Sequence, residues 1–140
     1  FKYTGTRLLE ITEILVVIGE STGGSGDALI NIITNPTTGT IIDNASPVGT
    51  NLNRNLSSAK TLPANIYKGA EGYTITDGNT FAASRRSNFS QPVAFDAAPI
   101  VLEKDASIAV TFTPPSGNTS QTIVVACTAH EQSKDKRDIK

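Results

Sequence analysis

The chain has 140 residues, 38% of them hydrophobic and 18% charged, with a formal net charge of −1. That length suits one domain with a sizeable core, and the near-zero charge excludes a global field that would draw nucleic acid or an anionic membrane. One histidine, His130, and one cysteine, Cys127, are too few for a structural zinc site and leave a single imidazole for any Ser–His or Cys–His arrangement, so no catalytic residues and no cofactor are expected.

A lone Cys also excludes an intramolecular disulfide. Neutral polar residues replace the missing charge, yet Ile, Val and Leu recur in tight clusters, which is not a disordered composition. No apolar run reaches the ~18 residues of a membrane span. The chain opens at Phe1 and holds no Met, and the expectation is a processed or trimmed product. Four N-x-S sequons, at Asn44, Asn55, Asn88 and Asn118, are expected by chance in a chain this rich in Asn, Ser and Thr.

Residues 6–18 (TRLLEITEILVVI) fit a helical stripe through Leu8, Ile11, Leu15 and Ile18 as well as a strand. Their β-branched content and the glycines that follow favour a long strand, bulged near Glu13. Both faces of that strand are apolar, so either can be the buried one, and the other is left to meet a neighbour. Residues 19–27 (GESTGGSGD) have the composition of a flexible loop. They lack the Lys-Ser/Thr that a phosphate loop needs.

Residues 28–34 (ALINIIT), the turn Asn35-Pro36-Thr37-Thr38-Gly39 and a return over 40–43 give a hairpin signal. Residues 44–61 form a long surface connection, with room for one helical turn over 56–60, of the kind a jelly roll requires. Residues 62–67 are short and extended. A second hairpin signal joins 73–76 to 80–83 through Asp77-Gly78-Asn79. Residues 84–91 form a polar loop carrying Arg85 and Arg86, and 92–95 are extended again. Residues 100–102 and 107–113 pair across the turn 103–106. The last strand covers 121–130, with Ile123, Val125, Cys127 and Ala129 on one face. Cys127 and His130, three apart, then face opposite sides, which argues against a shared metal.

The tally is about eight to ten short strands and no long helix. It predicts an all-β fold: a single antiparallel β-sandwich of jelly-roll type over residues 1–130, with a charged tail over 131–140. The expected core is Leu9, Ile11, Leu15, Val17, Ile30, Ile32, Ile41, Ile66, Ile75, Val101, Ile108, Val110, Phe112, Ile123, Val125 and Cys127. In the tail, Lys134, Lys136 and Arg137 alternate with acidic residues. A solvated end is the plain expectation, so removing 131–140 should leave the melting temperature nearly unchanged. The functional reading is an arm that orders against an acidic neighbour.

Glu10, Glu13, Glu20 and Asp27 surround the glycine-rich stretch. They lack a D-x-D-x-D-G spacing, so charges that keep a strand soluble outweigh a Ca²⁺ cluster. Arg85 and Arg86 are expected as a solvated pair, with an acidic partner surface as their functional reading. Tyr3, Tyr67 and Tyr73 are the aromatics for a sugar-binding face. The partner-contact candidates are Leu8, Arg85, Arg86, Lys134, Lys136 and Arg137.

Residues 100–110 (IVLEKDASIAV), the turn with Pro114, Pro115, Gly117 and Asn118, and Thr122-Ile123-Val124-Val125 resemble the closing strands of small viral jelly rolls. Residues 62–70 (LPANIYKGA) and 73–78 (YTITDG) are similar in texture to head-surface proteins of tailed bacteriophages. Related textures occur in tumour-necrosis-factor-like and carbohydrate-binding jelly rolls. The resemblance implies a capsid decoration (cement) or head-fibre protein on the virion surface. Such a protein is an oligomer, trimer or dimer, whose partner is the major capsid protein, with no nucleic acid and no membrane. The alternative is a glycan- or receptor-binding jelly-roll module of a fibre or secreted protein.

Overall fold

The computed structural model describes residues 1–39, 57–67, 73–86, 93–95 and 100–132. Among them are nine strands and no helix: β1 (Lys2–Tyr3), β2 (Leu9–Ser25), β3 (Ala28–Thr34), β4 (Ala64–Asn65), β5 (Asn79–Arg86), β6 (Val93–Phe95), β7 (Ile100–Leu102), β8 (Ile108–Thr113) and β9 (Ser116–Glu131). The protein is all-β, and every pairing is antiparallel.

The organising element is one folded ribbon. β9 lies along β2 from Leu9↔Glu131 to Ser25↔Ser116, and β8 lies along β3 from Leu29↔Thr113 to Thr34↔Ile108. The register is nearly continuous from one ladder to the next. Residues 9–34 and 108–131 are therefore a single two-stranded ribbon, bent over where Gly26-Asp27 on one strand meets Pro114-Pro115 on the other. Two prolines without amide donors suit the place where the ladder is interrupted. The far edge of 9–34 is flanked by β5 along β3 and by β6 and β7 along β2. The outcome is two main sheets, one ordered β5-β3-β8, the other built on β2 with β6 and β7 at one edge and β9 at the other, beside a small two-stranded sheet of β1 and β4.

The core lies between the sheets, and strand alternation explains who fills it. In β3, Ala28, Ile30 and Ile32 are buried. In β2 the buried set starts as Leu9 and Ile11, then changes phase to Ile14, Val16 and Ile18. The cause is a bulge. The register shifts between Ile11↔Ala129 and Glu13↔Thr128, leaving Thr12 as the extra residue, and its hydroxyl donates to the Thr128 carbonyl at 3.3 Å. One extra residue moves every later side chain to the other face. Near the open end of the fold, Leu9, Ile11, Ile14, Ile32, Leu102 and Ile108 pack with Tyr3. Toward the bend, Val16 and Ile18 pack with Ile30 and Val93, and with Val110 and Phe112 beside them.

β1 and the turn 103–107 close the open end. The Tyr3 amide donates to the Ala106 carbonyl, the Asp105 amide to the Tyr3 carbonyl, and the Asn35 amide to the Ser107 carbonyl, at 2.8–3.0 Å. Gly5 lies so close to the Tyr3 ring that a Cβ there would collide with the hydroxyl oxygen, so no larger residue fits without moving that ring.

Several sequence expectations change. Residues 19–25, expected as a loop, continue β2. Gly23 and Gly24 sit at φ of 71° and 92°, which lets this stretch twist while still pairing with β9. Residues 100–102 and 108–113 are not a hairpin. β7 and β8 belong to different sheets, and the turn between them, with Asp105 at φ 68°, carries the chain across. The Asp77-Gly78 turn does not pair 73–76 with 80–83, because β5 lies against β3 instead. The Asp77 carboxylate accepts from the Thr37 and Thr38 amides, both at 2.8 Å, and from the Thr37 hydroxyl. Arg85 and Arg86 belong to β5, not to a loop. The return strand over 40–43, Ile41 and most of the connection 44–61 lie outside the described residues.

The expected core also divides. Leu9, Ile11, Ile30, Ile32 and Ile108 are buried, and Val110 and Phe112 pack against the core. Leu15, Ile66 and Ile75 are half-buried, while Val17, Val101, Ile123, Val125 and Cys127 are exposed. Tyr3, Ile14, Val16, Ile18, Ala28, Val93 and Leu102 take the interior places.

Candidate interaction surface

Residues 121–129 (QTIVVACTA) hold five β-branched side chains and no charge, a composition that fits a strand. They form the middle of β9, whose single strand partner among the described residues is β2. Among the described residues β9 is thus a sheet edge.

Register decides which way its side chains point. Ile123, Val125 and Cys127 stand opposite Ile18, Val16 and Ile14, so they share the core-facing side. Their partners on β2 are buried, yet Ile123 is 37% exposed, Val125 44% exposed, and Cys127 exposed as well. This side of β9 overhangs the facing sheet. The thiol of Cys127 is on that side, and desolvation pushes it up to about 11 even though the residue as a whole is accessible. The other side carries Val124 opposite Val17, and Ala126 opposite Leu15. Val124 is 57% exposed and Val17 37%. An apolar strip therefore wraps around the edge strand and continues onto the outer face of β2.

Polar groups frame the strip at its end. His130 Nε2 lies 3.4 Å from Glu10 Oε2, and the Gln132 side-chain amide reaches the same oxygen at 3.4 Å. The Tyr3 hydroxyl donates to Glu131. Burial first, and then that carboxylate, push the Tyr3 phenol up to about 12. Glu131, expected in the solvated tail, is the last residue of β9, and the Gln132 amide donates to the Leu8 carbonyl at 2.8 Å.

The partner-contact candidates do not gather in one place. Leu8 is exposed beside the open end. Arg85 is exposed on β5 opposite Leu29, close to the bend at the other end of the ribbon. Arg86 lies opposite Ala28. Lys134, Lys136 and Arg137 lie outside the described residues. The three tyrosines do not share a face. Tyr3 is buried in the core, Tyr67 is half-buried and Tyr73 is exposed. Cys127 and His130 lie on opposite faces of β9, as their spacing predicts. Among the described residues, no three His, Cys, Asp or Glu side chains come together in a metal-holding group.

Sequence reasoning missed the strip because strict alternation looks the same in a central strand and in an overhanging edge. The available signal was the long run without charge, proline or glycine over 121–129, combined with apolar residues on both faces. Comparison with protein-family models, with curated proteins and with solved structures finds no match to this chain.

Proposed function

We propose that the chain is a structural protein of the virion surface, which decorates or stabilises an icosahedral capsid by binding the major capsid protein as a homo-oligomer. The single observation that carries this reading is the uncharged apolar strip of Val17, Ile123, Val124 and Val125 on an accessible sheet edge. Exposed apolar surface of this kind marks protein contacts. A decoration protein works by attachment alone. Modest contacts repeated around an oligomer combine through effective concentration, and the neutral polar composition keeps the remaining surface soluble.

The finer architecture proposed is a jelly-roll-type sandwich. The long ribbon of 9–34 with 108–131, folded over on itself, supports it. β5, β6 and β7 flank 9–34 on its other edge. Of the three tyrosines named for the glycan-binding alternative, Tyr3 is in the core, which leaves Tyr67 and Tyr73 to that reading.

The experiment is co-sedimentation with icosahedral phage heads assembled without this chain. The reading expects saturable binding at a fixed ratio to the capsid subunit. Heads that leave the chain in the supernatant at every concentration contradict it.

A further inference from the structure

The sheet edges differ in how they are protected. Natural sheets guard their edges with short strands, bulges, prolines and charges. β6 and β7 are three residues each, with Pro92 and Pro99 just before them. β5 carries a register shift between Ile32 and Ile33 that leaves Phe81 as its extra residue, and it ends in Arg85-Arg86. β8 spans six residues and runs into Pro114-Pro115. β9 is sixteen residues long. Between Ser116 and Ala129 it holds no charge and no proline. Its register shift within β9 falls at Thr119, outside the stretch 121–129.

We propose that β9 pairs with β9 of a second copy of this chain, antiparallel about a twofold axis at Val124. This deepens the homo-oligomer of the proposed function and rests on that part of it alone. Alternate residues of β9 direct their N–H and C=O groups away from β2, and an antiparallel copy supplies the complementary groups. The strand is self-complementary in charge. With Val124 on the axis, Ile123 faces Val125 and Gln121 faces Cys127 of the other copy. Past the bulge at Thr119, His130 and Glu131 face the stretch Ser116-Gly117-Asn118, which carries no charge, so no like charges meet. A partner strand of another chemistry has no charge to read here. The overhanging Ile123, Val125 and Cys127 of each copy cover one another across the axis, and the sheet becomes continuous through β2, β9, β9 and β2. A twofold interface of this kind is isologous, using one patch on both subunits.

The test uses the full chain in sedimentation velocity across the micromolar range. A dimer is expected, and a monomer at all concentrations, or a trimer, overturns the proposal. Val124→Lys puts two ammonium groups at the axis. Because Val124 is mostly exposed, the variant keeps its fold, checked by far-UV circular dichroism. It is expected to weaken association at least tenfold. Mixing it with Val124→Glu is expected to restore a mixed dimer. Equal association by Val124→Lys and the parent chain overturns the twofold at this strand. A third arm uses Gln121→Cys, which brings a second thiol opposite Cys127 within the Cα separation that a disulfide spans. Oxidation is expected to give a covalent dimer that the parent chain does not form. All of these readouts are independent of capsid binding, so failure of the pairing and failure of the decoration role are separable.

Discussion

Val16 and Val17 are neighbours in sequence and identical in chemistry; alternation puts them on opposite sides of the sheet, and the bulge at Thr12 decides that Val16 is the buried one. Val16 is fully buried among Ile18, Ile30 and Val93, whereas Val17 is 37% exposed opposite Val124. Truncating Val16 to Ala removes two buried carbons. At ~0.8 kcal/mol per methylene that is ~1.6 kcal/mol of transfer free energy, and the cavity left between the sheets raises the total to roughly 2–3 kcal/mol. In a domain of this size, about 3 °C of melting temperature accompanies each kcal/mol, so Val16→Ala is expected to lower Tm by roughly 6–9 °C. Val17→Ala leaves no closed cavity and loses contacts that are already partly wet, so its cost is expected below about 1 kcal/mol. The lower strand propensity of Ala enters both variants alike and cancels in the comparison. Thermal and urea unfolding of the two single variants measure the difference. A Val17→Ala variant as destabilised as Val16→Ala, or more so, would refute the phase change and with it the bulge.

Tyr3→Phe removes the donor to Glu131 and leaves a half-buried carboxylate short of a partner, so a loss of about 1.5–3 kcal/mol is expected by urea unfolding; an unchanged midpoint contradicts the bond. Truncation after His130, which removes Glu131 and Gln132 with everything beyond, is expected to melt lower than truncation after Gln132, because the first loses the bonds to Tyr3 and Leu8 and the second keeps them. Hydrogen bonds from the Thr37 hydroxyl, and then from the Thr38 amide, hold the Asp77 carboxyl down at about 2 from an ordinary 3.8. Because the folded-state value is the lower one, its stabilisation is complete above about pH 3.8 and is lost as pH falls through about 2. A carboxyl-carbon NMR titration of Asp77 with its midpoint near 3.8 would show that the turn 35–39 is not held by this side chain.

The fold class was legible because β-branched clusters and closely spaced turn residues leave little room for helix. The bulge near Glu13 was expected too, in a long strand read from its β-branched content, and the register shift at Thr12 lies beside it. Its consequence was not. Alternation from Leu9 and Ile11 points to Leu15 and Val17, and only the register with β9 shows that Thr12 shifts the buried set to Ile14, Val16 and Ile18. Pairing between distant segments is the harder problem. Residues 100–102 and 108–113 carry every local mark of a hairpin, yet each finds its partner in 9–34, where Leu102 and Ile108 reach the core between the sheets. The glycines of 19–26 read as loop because composition reports backbone freedom and says nothing of whether a neighbour strand uses it. Of the candidate contacts, Leu8 and Arg85 lie at opposite ends of the ribbon, and the accessible strip centred on Val124 was hidden inside what reads as an interior strand.

The most direct measurement of the decoration role is electron-microscopic imaging of phage heads before and after saturation with this chain. The account predicts added density at one symmetry-related set of lattice positions, in constant proportion to the capsid subunit and diminished by Val17→Lys, which charges the outer strip. Heads whose surface is unchanged after saturation, or that carry only scattered density without lattice order, would contradict it.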